Sequence, residues 1–241
     1  MKNKREINAI KRNIFTNLVL GVLVFSVGAL CLSPVDETAY TSGDEIQIYR
    51  EAKDGGRGVS LMFNVYQGTN EVLQILQILD KYQAKSTFFI GGCWADDNVE
   101  TLKTIVESGH ELGNHGYFHK DQDKLSLVQN RKEIEDCNQF IYLATGIMPT
   151  LFAPPSGAYN EHTLSASQAL GMKTVLWSRD TIDWRDKNPA LIYTRATKEI
   201  KSGEFVLMHP TKATVDALED VLKYYQSLGL TAVTVSENIK E

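Results

Sequence analysis

The chain has little of what staples small proteins together. Its 241 residues include only three cysteines, Cys31, Cys93 and Cys137, and no CxxC pair, so a disulfide scaffold is excluded and the core must form by apolar burial. No GxGxxG follows any apolar run, which argues against a dinucleotide fold and a nucleotide cofactor. Low-complexity tracts and sequence repeats are absent. Positive charge is scarce beyond the first 33 residues, which hold Lys2, Lys4, Arg5, Lys11 and Arg12 against Glu6 and leave 20 basic and 29 acidic side chains for the remainder. Such a surface repels polyphosphate, so no nucleic-acid partner is expected. With 43% apolar and 23% charged residues, the composition is that of one globular domain.

One long hydrophobic run is present. Ile14 to Leu32 carries no charge over 19 residues, enough to cross most of a bilayer core as a helix. The basic flank lies on one side only, and the positive-inside rule then predicts a cytoplasmic segment 1–13, a single membrane pass at 14–32 and an exported remainder on a bacterial cell membrane. A cleaved signal peptide is the competing reading. Pro34 after Ser33 and the poor fit to a small-x-small cleavage site favour an uncleaved anchor, and bulky Leu30 speaks against lipid attachment at Cys31. Residues 33–56 read as a tether with a short strand at Ile46–Tyr49, and residues 57–241 as the domain.

Within that domain, short apolar runs alternate with segments of helical period. Strands are expected at Val59–Val65, Ser86–Ile90, Glu111–His115, Thr150–Ala153, Lys173–Trp177, Phe205–His209 and Ala232–Val235. Val72, Ile75, Leu76, Leu79 and Tyr82 share one helical face, as do Val99, Leu102, Ile105 and Val106. Ser126 with Gln129 reads as a capping box, Asn188 with Pro189 as a helix start, and Gly109, Gly146, Gly171 and Gly229 as helix stops. Seven β/α units of this kind imply an α/β fold with a parallel sheet, open or closed into a barrel.

Three of the five histidines fall at expected strand ends, where parallel β/α folds present their sites. His115 and His119 are four apart, a spacing that lets two imidazoles on one helical turn share a cation, although such a pair is more often two unrelated polar residues. His209 ends a buried strand and needs a partner, and a carboxylate such as Asp183 would orient its ring for use as a general acid. Asp180, Asp183 and Trp184 form a polar cluster that reads equally as a loop with caps and a buried tryptophan. His110 and His162 read as solvated.

Taken in order, these segments resemble the polysaccharide deacetylase family, also called the NodB homology domain or carbohydrate esterase family 4. VSLMFNVYQG resembles a first motif in which adjacent aspartates supply a catalytic base and a metal ligand. NHGYFH resembles the second, whose histidines bind the metal, here His115 and His119. APPSG, with Pro155, resembles the third, and DTIDW, with Asp180, Asp183 and Trp184, the fourth. LMHP resembles the fifth, whose histidine, here His209, is the general acid. The resemblance implies an irregular seven-unit (β/α) barrel that removes N-acetyl groups from cell-wall or related polysaccharide, peptidoglycan or chitin-like, using zinc or a similar divalent ion. Tyr66, Pro155, Asp180 and Trp184 are the implied substrate contacts.

By the same alignment Asn64 stands at the base position, Val65 at the acidic ligand and Ala153 at the arginine that pairs with the base. The losses agree with each other, since an arginine facing a neutral Asn64 would be an unpaired buried cation. A metal would keep two imidazoles and at best the Asn64 amide oxygen, so it is expected to bind weakly or to be absent. Two functions follow: a metal-dependent deacetylase, or a catalytically impaired relative that binds carbohydrate without hydrolysis. Cys93 and Cys137 read as a disulfide or as two buried free thiols.

Overall fold

The computed structural model describes residues 46–239. The basic segment, the run Ile14–Leu32, Cys31 and the first part of the tether lie outside the described residues. Among the described residues, no helix is long and apolar enough to cross a membrane.

Eight parallel strands form one curled sheet, in the order β1 (Ile48–Tyr49), β6 (Lys173–Val175), β5 (Leu151–Phe152), β4 (Glu111–Asn114), β3 (Thr87–Ile90), β2 (Ser60–Val65), β8 (Phe205–Met208) and β7 (Arg179–Asp180). Helices α1 (Thr69–Lys81), α2 (Gly92–Asp97), α3 (Val99–Glu107), α4 (Leu127–Thr145), α5 (Glu161–Ala169), α6 (Asp183–Asp186), α7 (Pro189–Thr197), α8 (Lys212–Ser227) and α9 (Val235–Ile239) fill the connections. The expected seven-unit barrel is therefore realised as a half-barrel whose edge strands, β1 and β7, do not pair with each other. The chain itself joins the two edges: Leu176 N–H donates to Tyr49 and Ser178 N–H to Phe205, on opposite margins. Two residues span at most about 7 Å, so the margins must approach closely.

Strand alternation divides the core into two layers. Leu61, Phe63 and Val65 of β2 and Val206 and Met208 of β8 point outward into the main cluster with Val72, Ile75 and Leu79 of α1 and Leu218 and Val221 of α8. Met62, Phe89, Leu151, Val175 and Phe205 point inward, where Val235 and Ile239 of α9 close the lower end. The inward positions beyond Met62 and Phe205, namely Asn64 and Leu207, are left to line the upper mouth.

Most of the expected punctuation is present. The Ser126 and Gln129 capping box is reciprocal, the Asn188 side chain accepts from Ala190 and Leu191 ahead of α7, and Gly146 closes α4 with φ 75°. The short strand expected at Ile46–Tyr49 is present as Ile48–Tyr49, which pairs with Thr174–Val175. Two expectations are corrected. Ala232–Val235 is not a strand: Ala232 makes one parallel bridge to Val59, and Val235 already opens α9. The other is β7, which pairs with β8 at a place where only a loop was expected. Cys93 and Cys137 are free thiols, the first exposed and the second buried.

Candidate functional site

The upper mouth of the half-barrel holds a cavity of about 330 Å³ lined by Asn64 and Tyr66 after β2, His115 and His119 after β4, and residues from the ends of β5 to β8. The contributors sit at the carboxyl ends of strands or in the segments that follow them, where unpaired backbone leaves side chains free to converge. His209, Asp180 and Trp184 also line it, while Pro155 is buried beneath the loop and its neighbour Ser156 is the lining residue. Trp177 forms one wall. Gly157, at φ 66°, lets the backbone pass beneath that indole, since a Cβ there would lie 2.8 Å from the ring.

The two histidines of NHGYFH do not share a helical turn. His115 caps the end of β4 and His119 lies four residues on in an irregular loop, at φ 52°. Glu133 of α4 fixes that loop: its buried carboxylate accepts from the Phe118 N–H at 2.8 Å and pairs with Lys120 at 2.8 Å. Asn114 adds a second tie, accepting from the Gly116 N–H and donating to Ile134 and Asn138. The outcome is a ring-to-ring separation of 5.0 Å between His115 and His119.

His115 is fully buried, and its Nδ1 lies 2.7 Å from the Ala153 carbonyl, so Nδ1 carries the proton and Nε2 keeps a lone pair. Burial first, and then the His119 charge, lower its pKa to about 3. His119 is lowered too, chiefly by burial, so both rings are neutral at pH 7. The Nε2 of His115 and the Oδ1 of Asn64 are buried without a partner.

On the opposite wall, His209 Nδ1 lies 2.8 Å from Asp183 Oδ1. Asp183 also accepts from the His209 N–H at 2.6 Å and from the Thr214 hydroxyl at 2.6 Å. Thr214, in the first turn of α8, carries no motif and was missed from the sequence. Its signal was a Thr211-x-x-Thr214 N-cap spacing, which the structure uses, with Thr214 N–H donating to Thr211. Asp180, read as a substrate contact, lines the cavity with Oδ1 occupied by the Ile182 N–H. His110, read as solvated, is instead 7% exposed against Phe88, with Nδ1 unpartnered and its pKa lowered to about 4 by burial and by Lys85.

Val65 requires a further correction. Its side chain is fully buried in the outward layer, so it does not face the cavity, and the cavity-facing residues at the end of β2 are Asn64 and Tyr66. A catalytic zinc takes three protein ligands. Beside its two neutral imidazoles, His115 and His119, the mouth offers an amide oxygen and a phenol raised in pKa by burial and by Asp183, while His209 is held by Asp183 and Asp180 accepts from the Ile182 N–H. Among the described residues, no group of three or more His, Cys, Asp or Glu could hold a metal ion. The donor set does not fit a catalytic zinc.

Known proteins share this architecture. The family model for polysaccharide deacetylase matches residues 51–175. YlxY of Bacillus subtilis, an uncharacterized protein, is 37% identical over 76% of this chain and 57% of its own length. The peptidoglycan-N-acetylmuramic acid deacetylase PdaC of the same species is 33% identical over 68% of this chain and 35% of its own length. The chain thus spans about a third of one of these relatives and somewhat more than half of the other. Among solved structures, a CE4 family pseudoenzyme from Bacillus anthracis superposes with a TM-score of 0.79 at 32% identity, covering 82% of this chain and 70% of that one. A mutant of that pseudoenzyme with restored enzymatic activity superposes equally well, at 0.79 and 30% identity. A model match over half the chain, a relative more than a third identical and a shared rolled sheet agree: this chain belongs to the polysaccharide deacetylase family.

Proposed function

We propose that this domain binds N-acetylated cell-wall glycan in a deacetylase mouth without hydrolysing it. The observation that carries this reading is Asn64, a neutral amide with an unpartnered buried oxygen at the base position, with no carboxylate beside it on that wall. Amide hydrolysis needs a group to take a proton from water as well as one to protonate the leaving amine. The acid side persists in His209, held by Asp183, and the base side does not. The aromatic faces of Tyr66, Trp177 and Trp184 suit the apolar faces of pyranose rings, with Asp180 and Ser156 as polar partners. The likeness to a pseudoenzyme supports the same conclusion.

One observation favours a second reading, a residual hydrolase. Asp180 is a carboxylate in the cavity with one oxygen, Oδ2, free to serve as base. Acetate release from N-acetylglucosamine oligomers, with binding followed by calorimetry, separates the two. Binding with no acetate supports the glycan-binding reading, and turnover abolished by Asp180→Asn would replace it.

The location belongs to this reading as well. The uncharged run Ile14–Leu32 behind a basic flank anchors the protein by a single pass, with the domain outside the cell facing the wall. Protease added to intact cells is expected to digest the domain and spare an N-terminal tag. Recovery of a soluble form starting near Pro34 would establish cleavage instead.

A further inference from the structure

A side chain of the protein packs against the histidines of the mouth. The Tyr66 ring centre lies 4.0 Å from that of His119, 6.3 Å from His115 and 6.1 Å from His209. It is therefore placed among all three imidazoles of the mouth. The imidazoles themselves keep a spacing suited to a cation. With metal–nitrogen bonds of about 2.0–2.1 Å, two rings on one tetrahedral ion have centres roughly 5 Å apart, and those of His115 and His119 are 5.0 Å apart. Loss of a ligand is thus only half of the change at this site.

We propose that Tyr66 is the residue that excludes a cation from the mouth and turns its seat into an aromatic platform for a sugar ring. Alternation along β2 makes it so: Val65 is turned into the helix layer, and Tyr66, two residues beyond Asn64, returns to the cavity face. The buried lone pairs that a cation would meet, His115 Nε2 and Asn64 Oδ1, touch no solvent and no donor. The phenol ring, 4.0 Å from His119 centre to centre, packs against that imidazole, and the two lone pairs stay closed to solvent beside it. It also supplies no negative charge in compensation. What it does supply is a flat apolar face at the cavity wall, continuous with the exposed indole of Trp184 and with Trp177. The platform half of this inference rests on the glycan-binding reading above, whereas the exclusion half stands without it.

The test uses the folded domain, with wild type, Tyr66→Phe and Tyr66→Asp compared for circular dichroism, zinc uptake by calorimetry, the cobalt(II) absorption band and binding of an N-acetylglucosamine tetramer in chelator. Wild type and Tyr66→Phe should take up no zinc at about 100 µM, because the ring and not the hydroxyl closes the seat. Tyr66→Asp removes the ring and adds a third ligand, so it should bind zinc and cobalt in a manner that His115→Ala abolishes. Its tetramer affinity should fall by about tenfold, the scale of one lost stacking face. Zinc uptake by the wild type that His115→Ala removes, or a folded Tyr66→Asp that gains none, would overturn the exclusion. Tetramer binding unchanged in Tyr66→Asp would overturn the platform. No tetramer binding by any form would overturn the glycan reading and the platform together, while the zinc results would still decide the exclusion.

Discussion

At the scale of single residues, the site turns on which way adjacent side chains face. Asn64 and Val65 read alike in the sequence, as neighbours at two positions of one motif. In the strand they differ completely, because successive residues point to opposite faces. Asn64 faces the mouth, and Val65 packs among Val72, Ile75 and Leu79. A carboxylate at the two positions should therefore behave differently. Asn64→Asp also buries its charge, but at the edge of the cavity beside imidazoles that can take up a proton to pair with it, and should lower the unfolding midpoint less. Val65→Asp buries an unpaired charge in the main core and should lower stability by roughly 4 kcal/mol or more, read from urea denaturation. Equal effects would mean that β2 is in the other register. The sequence did expose the chemistry at His209 and Asp183, since each residue type has few uses at a buried strand end. It hid Thr214, whose hydroxyl earns attention only when it is seen to donate to Asp183.

At the scale of elements, long periodic segments were legible and the two-residue strand β7 was not. The α1 face and the α4 capping box depend on neighbours in sequence, and both are present. Strand β7 has two residues and no periodicity to detect, and it exists because β8 offers it a ladder. His110 shows the same limit from the side of burial. It follows α3 through Gly109, whose turn suggests solvent, yet the entry to β4 packs its ring against Phe88. Its folded pKa of about 4 lies below the ordinary value of 6.5. Below pH 6.5 the unfolded chain binds a proton that the folded one refuses, so stability falls as pH drops towards 4. The slope from this residue approaches about 1.4 kcal/mol per pH unit. His110→Phe should flatten that limb of a plot of stability against pH, measured between pH 7 and 4. An unchanged slope would assign acid sensitivity to other groups.

At the scale of the whole molecule, the family fold was legible because the motifs come in order along the chain, one per strand end. The closure of the sheet was not, because periodicity counts units and does not say whether the last meets the first. The structure resolves this through the segment from Val175 to Arg179, which leaves one margin and begins the other. That segment acts as a hoop of fixed girth. Trp177 hangs from its middle and Asp180 follows its far end, so the width of the mouth is set by the length of five residues and not by any side chain at the rim. Two glycines inserted after Ser178 should leave the eight strands folded, since ladder bonds on both sides survive. They should still lower the melting temperature and weaken oligosaccharide binding by separating the indole from the carboxylate. A single-residue change at the rim alters what the mouth touches, whereas lengthening the hoop alters how wide it opens, and relatives with different lengths here would admit chains of different thickness.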